Sequence, residues 1–281
     1  MTIDVSELQP WVGREERVAD TLTPQPAAAL TATLDRDDPP ALGAPLPPLW
    51  HWIYFLPFHR QSEIASDGHA RRGGFVPPIA LPRRMFAGAR LTFAGELRIG
   101  EPARRTSTIA GIEVKQGRSG PLIFLRIRNE MVGAHGSIIE EQDIVYRDHP
   151  RPDEPPPAPR SAPAQTVWRR EFRADIMLLF RYSALIFNAH RIHYDRDYAT
   201  KTEGYPGLVV HGQLVATLLA DLVRRNDRRP LASFRFRSLR PLFDVRPFTL
   251  CGARASGRVM LWAEDADGAL AMEAEASYST S

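Results

Sequence analysis

"HGQLVATLLADLVRRN" (His211–Asn226) carries Leu214, Leu218 and Leu222 at one four-residue spacing and Val215, Leu219 and Val223 at a second. Two adjacent i, i+4, i+8 rows make one apolar stripe, so the segment predicts a well-buried helix that opens at Gly212. The chain beyond this helix is strand-like. "VMLWAEDADGALAMEAEA" (259–276) alternates on both sides of an Asp-Gly turn and predicts a hairpin.

The first half of the chain repeats this pattern in weaker form. "VKQGRSGPLIFLRI" (114–127) predicts another hairpin, flanked by alternating runs near 91–112 and 136–147. Ahead of it, "TPQPAAALTATLD" (23–35) begins with helix start signals. "APLPPLWHWIYF" (44–55) stands where the long helix would be, but Pro45, Pro47 and Pro48 allow only a short or broken one. Between the halves lies "HPRPDEPPPAPRSAPAQ" (149–165), dense in proline and without apolar periodicity, which predicts an extended linker. The expected division is therefore 1–148, 149–165 and 166–281. The fold expected is α+β: two curved antiparallel sheets, each with a helix, present once intact and once degraded. Two unrelated α+β domains are the alternative.

Composition excludes several classes. At 43% hydrophobic and 25% charged residues, the chain of 281 is that of a globular protein. No apolar run approaches the ~18–20 residues that span a bilayer, and the first twenty residues have no signal-peptide core. Cys251 is the only cysteine, so no intrachain disulfide forms and a cytoplasmic address is expected. The net charge of +3 rests on arginine, with Lys115 and Lys201 the only lysines. No basic block interleaved with aromatics marks a nucleic-acid surface, so a few arginines are left for a small phosphorylated ligand.

The chemistry gathers upstream of the buried helix. "RYSALIFNAHRIHYD" (181–195) starts apolar and ends in His190, Arg191, His193 and Asp195, and "GYPGLVVHGQL" (204–214) leads to Gly212. A histidine can exchange protons near neutral pH. A glycine at a helix N-terminus lets a carbonyl approach backbone N–H groups that support a developing oxyanion. The two together read as a site that pairs a proton-transferring base with support for a developing oxyanion. Taken alone, His193 would be a hydrogen-bonded core histidine.

"FNAHRIHYD" followed by "YPGLVVHGQL" resembles the hydratase motif of MaoC-like type 2 enoyl-CoA hydratases, which are double hotdogs. "WVGREERVADTLTP", "APLPPLWHWIYFLP" and "GGFVPPIALPRRMFAG" resemble the N-terminal half of one branch. That branch holds 3-methylfumaryl-CoA and itaconyl-CoA hydratases and mitochondrial type 2 3-hydroxyacyl-thioester dehydratases. The resemblance implies His193 as the catalytic base and Gly212 as the oxyanion glycine. It puts Asn188 where the family has an aspartate that helps hold the attacking water. Asparagine cannot take a proton near neutral pH but can orient water, so the acid–base work falls on His193. The implied substrate is an acyl-CoA thioester, best a branched C5 dicarboxylic one. No cofactor is required, and a homodimer is compatible with the reading.

The remaining assignments rest on the residues. His190 or Asp195 is expected to fix the His193 tautomer. His190, His193 and Asp195 lack a third histidine at a recognised metal spacing, so no metal is expected. His211 reads as packing at the helix start, and Tyr182 with Arg181 as either pocket lining or surface. In "FRFRSLRPLF" (234–243), Arg235, Arg237 and Arg240 read equally as contacts for CoA phosphates or as a solvated face. Trp50 and Trp52 read as core, with walling of the acyl pocket as the alternative. Two other activities share this architecture, an acyl-CoA thioesterase and a non-catalytic acyl-CoA-binding subunit, the latter favoured by Asn188.

Overall fold

The computed structural model describes residues 5–117, 120–149 and 158–279. Positions 118–119 of the expected hairpin and 150–157 of the expected linker lie outside them. The elements in chain order are β1 (Glu15–Thr21), α1 (Pro24–Thr33), β2 (Arg83–Gly95), β3 (Pro102–Gly117), β4 (Gly120–Val132), β5 (Gly136–Arg147), β6 (Trp168–Phe172), α2 (Ile176–Leu185), α3 (Gly212–Asn226), β7 (Leu231–Ser238), β8 (Phe248–Ala255), β9 (Arg258–Glu264) and β10 (Leu270–Tyr278).

The strands form one ten-stranded sheet in the order β1-β3-β4-β5-β2-β7-β10-β9-β8-β6. The five strands before the proline-rich segment lie side by side, as do the five after it. They meet along β2 and β7, where Gly88 to Thr92 pairs antiparallel with Arg237 to Ser233. The two expected sheets are thus joined edge to edge, which removes two exposed strand edges from the molecule.

Helix α3 spans the stretch its spacing predicts, and Leu214, Val215, Leu218, Leu219, Leu222 and Val223 are all buried. It packs against β8, β9, β10, β6 and, from the other half, β2. Its one buried acid, Asp221, meets Arg225 at 2.6 Å and Arg36, just beyond α1, at 2.7 Å. Removing one partner of such a buried pair leaves a charge uncompensated, so this cluster ties the two halves together. In the first half, the prolines limit the helix to a single 3-10 turn, Trp50–Ile53, all four residues of which are buried.

Helix α2 ends in a way that shapes the site. Phe187 has φ 50, in the left-handed region, and its N–H donates to Ala184 O (3.3 Å) while Asn188 N–H donates to Ser183 O (2.8 Å). This is the paired C-terminal bond pattern usually built on glycine. A phenylalanine there costs about 1–2 kcal/mol, and it turns the chain sharply into 188–193.

Candidate active site

Residues of both halves line one cavity of about 2100 Å³, with Gly212, His193 and Asn188 on its wall. His193 closes a 3-10 turn, Arg191–His193, and is buried. Its Nδ1 lies 2.7 Å from Val209 O. A carbonyl can only accept, so Nδ1 carries the proton and Nε2 keeps its lone pair. The neutral ring is thereby set up as a base. Burial pulls the His193 pKa down to about 4, against the upward pull of the Val209 carbonyl and with a smaller lowering from His69.

The His211 ring stacks on His193 at 3.6 Å and 16° between planes, and its Nε2 is 2.8 Å from Ser183 Oγ. It therefore packs as the sequence suggests, and it holds Gly212, its neighbour in the chain, beside the His193 ring. Gly212 is the first residue of α3, where backbone N–H groups have no acceptor within the helix and the helix dipole favours negative charge. A β-carbon at Gly212 would meet Ser238 Oγ at 3.5 Å and Phe86 at 3.9 Å. That Ser238 hydroxyl is buried and has no hydrogen-bond partner among the described residues.

Three expected roles are corrected. Asp195 does not touch His193. Its carboxylate takes Arg191 at 2.8 Å and Tyr198 N–H at 3.0 Å, because the 3-10 turn sends His193 inward and Asp195 toward Arg191. The tautomer is fixed by Val209 O, and not by His190, whose ring stands edge-on to His193 at 5.4 Å. Tyr182 is buried behind His211 with its OH 3.4 Å from Thr217 Oγ1, so it belongs to the core and is absent from the cavity wall, as is Arg181. Arg235 pairs with Glu275 at 2.9 Å, directly across from it in the β7–β10 register, and stays off the cavity; Arg237 and Arg240 reach its rim, with Arg240 3.4 Å from Asp265.

Asn188 lines the cavity, but its Oδ1 accepts the His190 N–H at 2.9 Å. Its oxygen builds the turn, leaving the amide nitrogen as the group that can meet a water. Trp52 lines the cavity, edge-on to Phe86 (6.3 Å) and Phe236 (6.1 Å), whereas Trp50 is core beneath Arg224.

Beyond Trp52, the sequence did not point to what the first half contributes, above all residues 66–69. Asp67 Oδ2 lies 3.0 Å from His69 Nδ1, and the His69 ring rests 4.0 Å from His190. Gly68 between them has φ +93, and a β-carbon there would be 1.7 Å from Ala189 O. Arg191 N–H donates to Asp67 O at 2.9 Å, and its guanidinium to Ser66 O at 3.1 Å. The one signal of this contact in the sequence is the glycine itself. Among the described residues, Asp67, His69 and His190 are the histidine–carboxylate group whose ligand atoms converge, within 4.8 Å of one another. A hydrogen-bonded Asp67–His69 pair with His190 packed on it accounts for that convergence.

Burial also lowers His69, His190 and His211, the last well below the ordinary histidine range. A histidine whose folded pKa is depressed stays neutral in the native state while the unfolded chain takes up its proton. Stability is thus complete above pH 6.5 and is lost as pH falls from there toward the folded value. For His193, between 6.5 and about 4, this amounts to a loss on the order of 3 kcal/mol. Urea midpoints measured from pH 7 to 4.5 are expected to fall steadily, and less steeply for His193→Gln. A wild-type midpoint flat over that range would contradict a neutral buried cluster.

Residues 49–244 match the family described as hydroxyacyl-thioester dehydratase type 2. The chain is 52% identical over 273 residues to the mesaconyl-C(4)-CoA hydratase of Chloroflexus aurantiacus, covering 94% of this chain and 95% of that protein. It is 27% identical over 233 residues to the mitochondrial hydroxyacyl-thioester dehydratase type 2 of Schizosaccharomyces pombe, covering 73% and 77%. Among solved structures, a MaoC-like dehydratase superposes with TM-score 0.74 at 13% identity over 98% of this chain and 100% of that one. A Mycobacterium tuberculosis protein described as having a double hotdog fold superposes with TM-score 0.55 at 14% identity over 95% and 96%. A helical segment beside each half of the sheet, one intact and one cut to a single turn, is thus a double hotdog, and this chain belongs to the hydroxyacyl-thioester dehydratase type 2 family.

Proposed function

We propose that the protein is a hydro-lyase that reversibly adds water across the α,β double bond of an enoyl-CoA. The observation that carries this reading is the His193 ring, protonated at Nδ1 by its bond to Val209 O, with Nε2 free beside the helix start at Gly212. In the hydration direction, Nε2 takes a proton from a water held with the Asn188 amide. The hydroxyl oxygen bonds to the β-carbon, and the π pair shifts into an enolate. The enolate oxygen is met by the Gly212 N–H at the positive end of α3. The imidazolium then returns its proton to the α-carbon, restoring the thioester. A carboxylate-assisted hydrolysis finds less support, because Asp67 is taken up by His69 and Asp195 by Arg191.

The preferred substrate is 3-methylfumaryl-CoA, which is mesaconyl-C4-CoA. The 52% identity across nearly the full length of both chains supports it. Arg237 and Arg240 at the cavity rim are suited to the CoA phosphates. The test is loss of enoyl-thioester absorbance with 3-methylfumaryl-, itaconyl- and crotonyl-CoA, with free thiol followed in parallel. Absorbance should fall fastest with 3-methylfumaryl-CoA and without thiol release. Stoichiometric thiol would identify a thioesterase, and no change with any ester would leave a binding subunit.

A further inference from the structure

We infer that Arg84 is the group that binds a free carboxylate on the acyl chain, and so selects carboxylated enoyl-CoA esters over plain ones. The inference rests on the hydratase reading of the same site. Arg84 lies on β2, lines the cavity and is half-buried. Among the described residues its guanidinium has no ion pair and no hydrogen bond. The other partly buried arginines of the cavity are engaged. Arg83 pairs with Glu203 at 3.0 Å and Arg105 with Glu16 at 3.4 Å, Arg72 donates to the carbonyls of Ile79, Leu81 and Pro82, and Arg147 donates to Asp148 O at 3.3 Å. Arg71, Arg160 and Arg237 are exposed. A half-buried cation facing a cavity without a counter-charge is a site prepared for an anion.

Its position suits one class of anion. Along β2, Arg84 and Phe86 share a face, because side chains two apart point the same way, about 6.6 Å from each other. Phe86 borders the reaction centre, with its carbonyl and ring edge 3.9 Å from where a Gly212 β-carbon would sit. Arg84 also acts electrostatically on His69 and His190, the rings that lead to His193. The cation therefore faces the cavity on the His69 and His190 side, on the same strand face as Phe86. In 3-methylfumaryl-CoA the free carboxylate is bonded to the β-carbon that receives the water, so it must lie next to the base. A guanidinium can meet it with two parallel N–H donors.

Crotonyl-CoA carries a neutral methyl group at the trans position where 3-methylfumaryl-CoA carries that carboxylate, and hydrogen in place of the cis methyl, which makes it the uncharged comparison substrate. Arg84→Gln and Arg84→Lys would be assayed with both esters. Binding of both esters would also be measured by calorimetry in a His193→Gln background that does not turn over. The expected result for Arg84→Gln is a loss of about 10- to 100-fold in kcat/KM and affinity for 3-methylfumaryl-CoA. Values for crotonyl-CoA should stay within about threefold, and Arg84→Lys should recover part of the loss. Equal losses for both esters would overturn the inference, placing Arg84 on the CoA moiety or in the scaffold. Undiminished selectivity in Arg84→Gln would overturn it while leaving the hydratase reading intact. A wild type that hydrates and binds crotonyl-CoA but not 3-methylfumaryl-CoA would refute the substrate reading and this role with it.

Discussion

His193→Ala is expected to lower kcat by about 10²–10⁴-fold while the protein stays folded. The imidazole is the only group in the proposed cycle that both takes the proton of water and returns one to carbon. Its geometry makes that role specific: Nδ1 is committed to Val209 O, so Nε2 alone can act. The truncation leaves that carbonyl without its donor and removes the ring stacked on His211, so a lower melting temperature accompanies it, while above pH 6.5 the depressed pKa adds nothing either way. His193→Gln, which keeps polar reach without a proton-transferring group, should be equally inactive. Steady-state rates beside a thermal melt check this. A folded variant retaining most of the wild-type kcat would take His193 out of the chemistry. The same geometry sets the pH profile: kcat/KM reports the free enzyme, so its acidic limb should lie nearer pH 4 than 6.5.

Gly212→Val should produce a loss of comparable size by a different route. Gly212 is outside the left-handed region, and a β-carbon there would sit in ordinary contact with Ser238 and Phe86. The fold therefore admits a side chain, and a helix start without glycine loses nothing in propensity. The branched methyl groups would fill the space in front of the amide, where the thioester oxygen must sit. Removing one oxyanion donor costs about 10²–10³-fold in kcat, and a comparable fall is expected here with little change in melting temperature. Gly212→Ala should be intermediate. Wild-type turnover in the valine variant would show that the amide supports no oxyanion.

Much of this was legible in the residues, and the limits have physical causes. The α3 helix followed from spacing because a buried helix needs an apolar stripe, and the single 3-10 turn at Trp50–Ile53 followed from its prolines. His193 and Gly212 were found through their motif and meet at one cavity wall. Asp195 misled because nearness in sequence suggested contact, whereas a 3-10 turn separates the two side chains. Arg235 misled because a cross-strand partner depends on register, and Glu275 stands forty residues away. Asp67, His69 and Arg84 escaped notice because long-range packing alone brings them to the site. The turn at Phe187 also carried no signal, since a phenylalanine occupies the position where glycine announces a helix end.

The Ser66–His69 backbone grips Ala189–Arg191 across the boundary between the halves. The loop that carries His193 is thus shaped by a segment more than a hundred residues earlier in the chain. Two pieces that must meet to complete one site are joined in a single polypeptide, so their meeting is intramolecular, at an effective concentration set by the chain. Dilution cannot part them. The half without the long helix is therefore as necessary to the shape of the 188–193 loop as the half that holds the histidine.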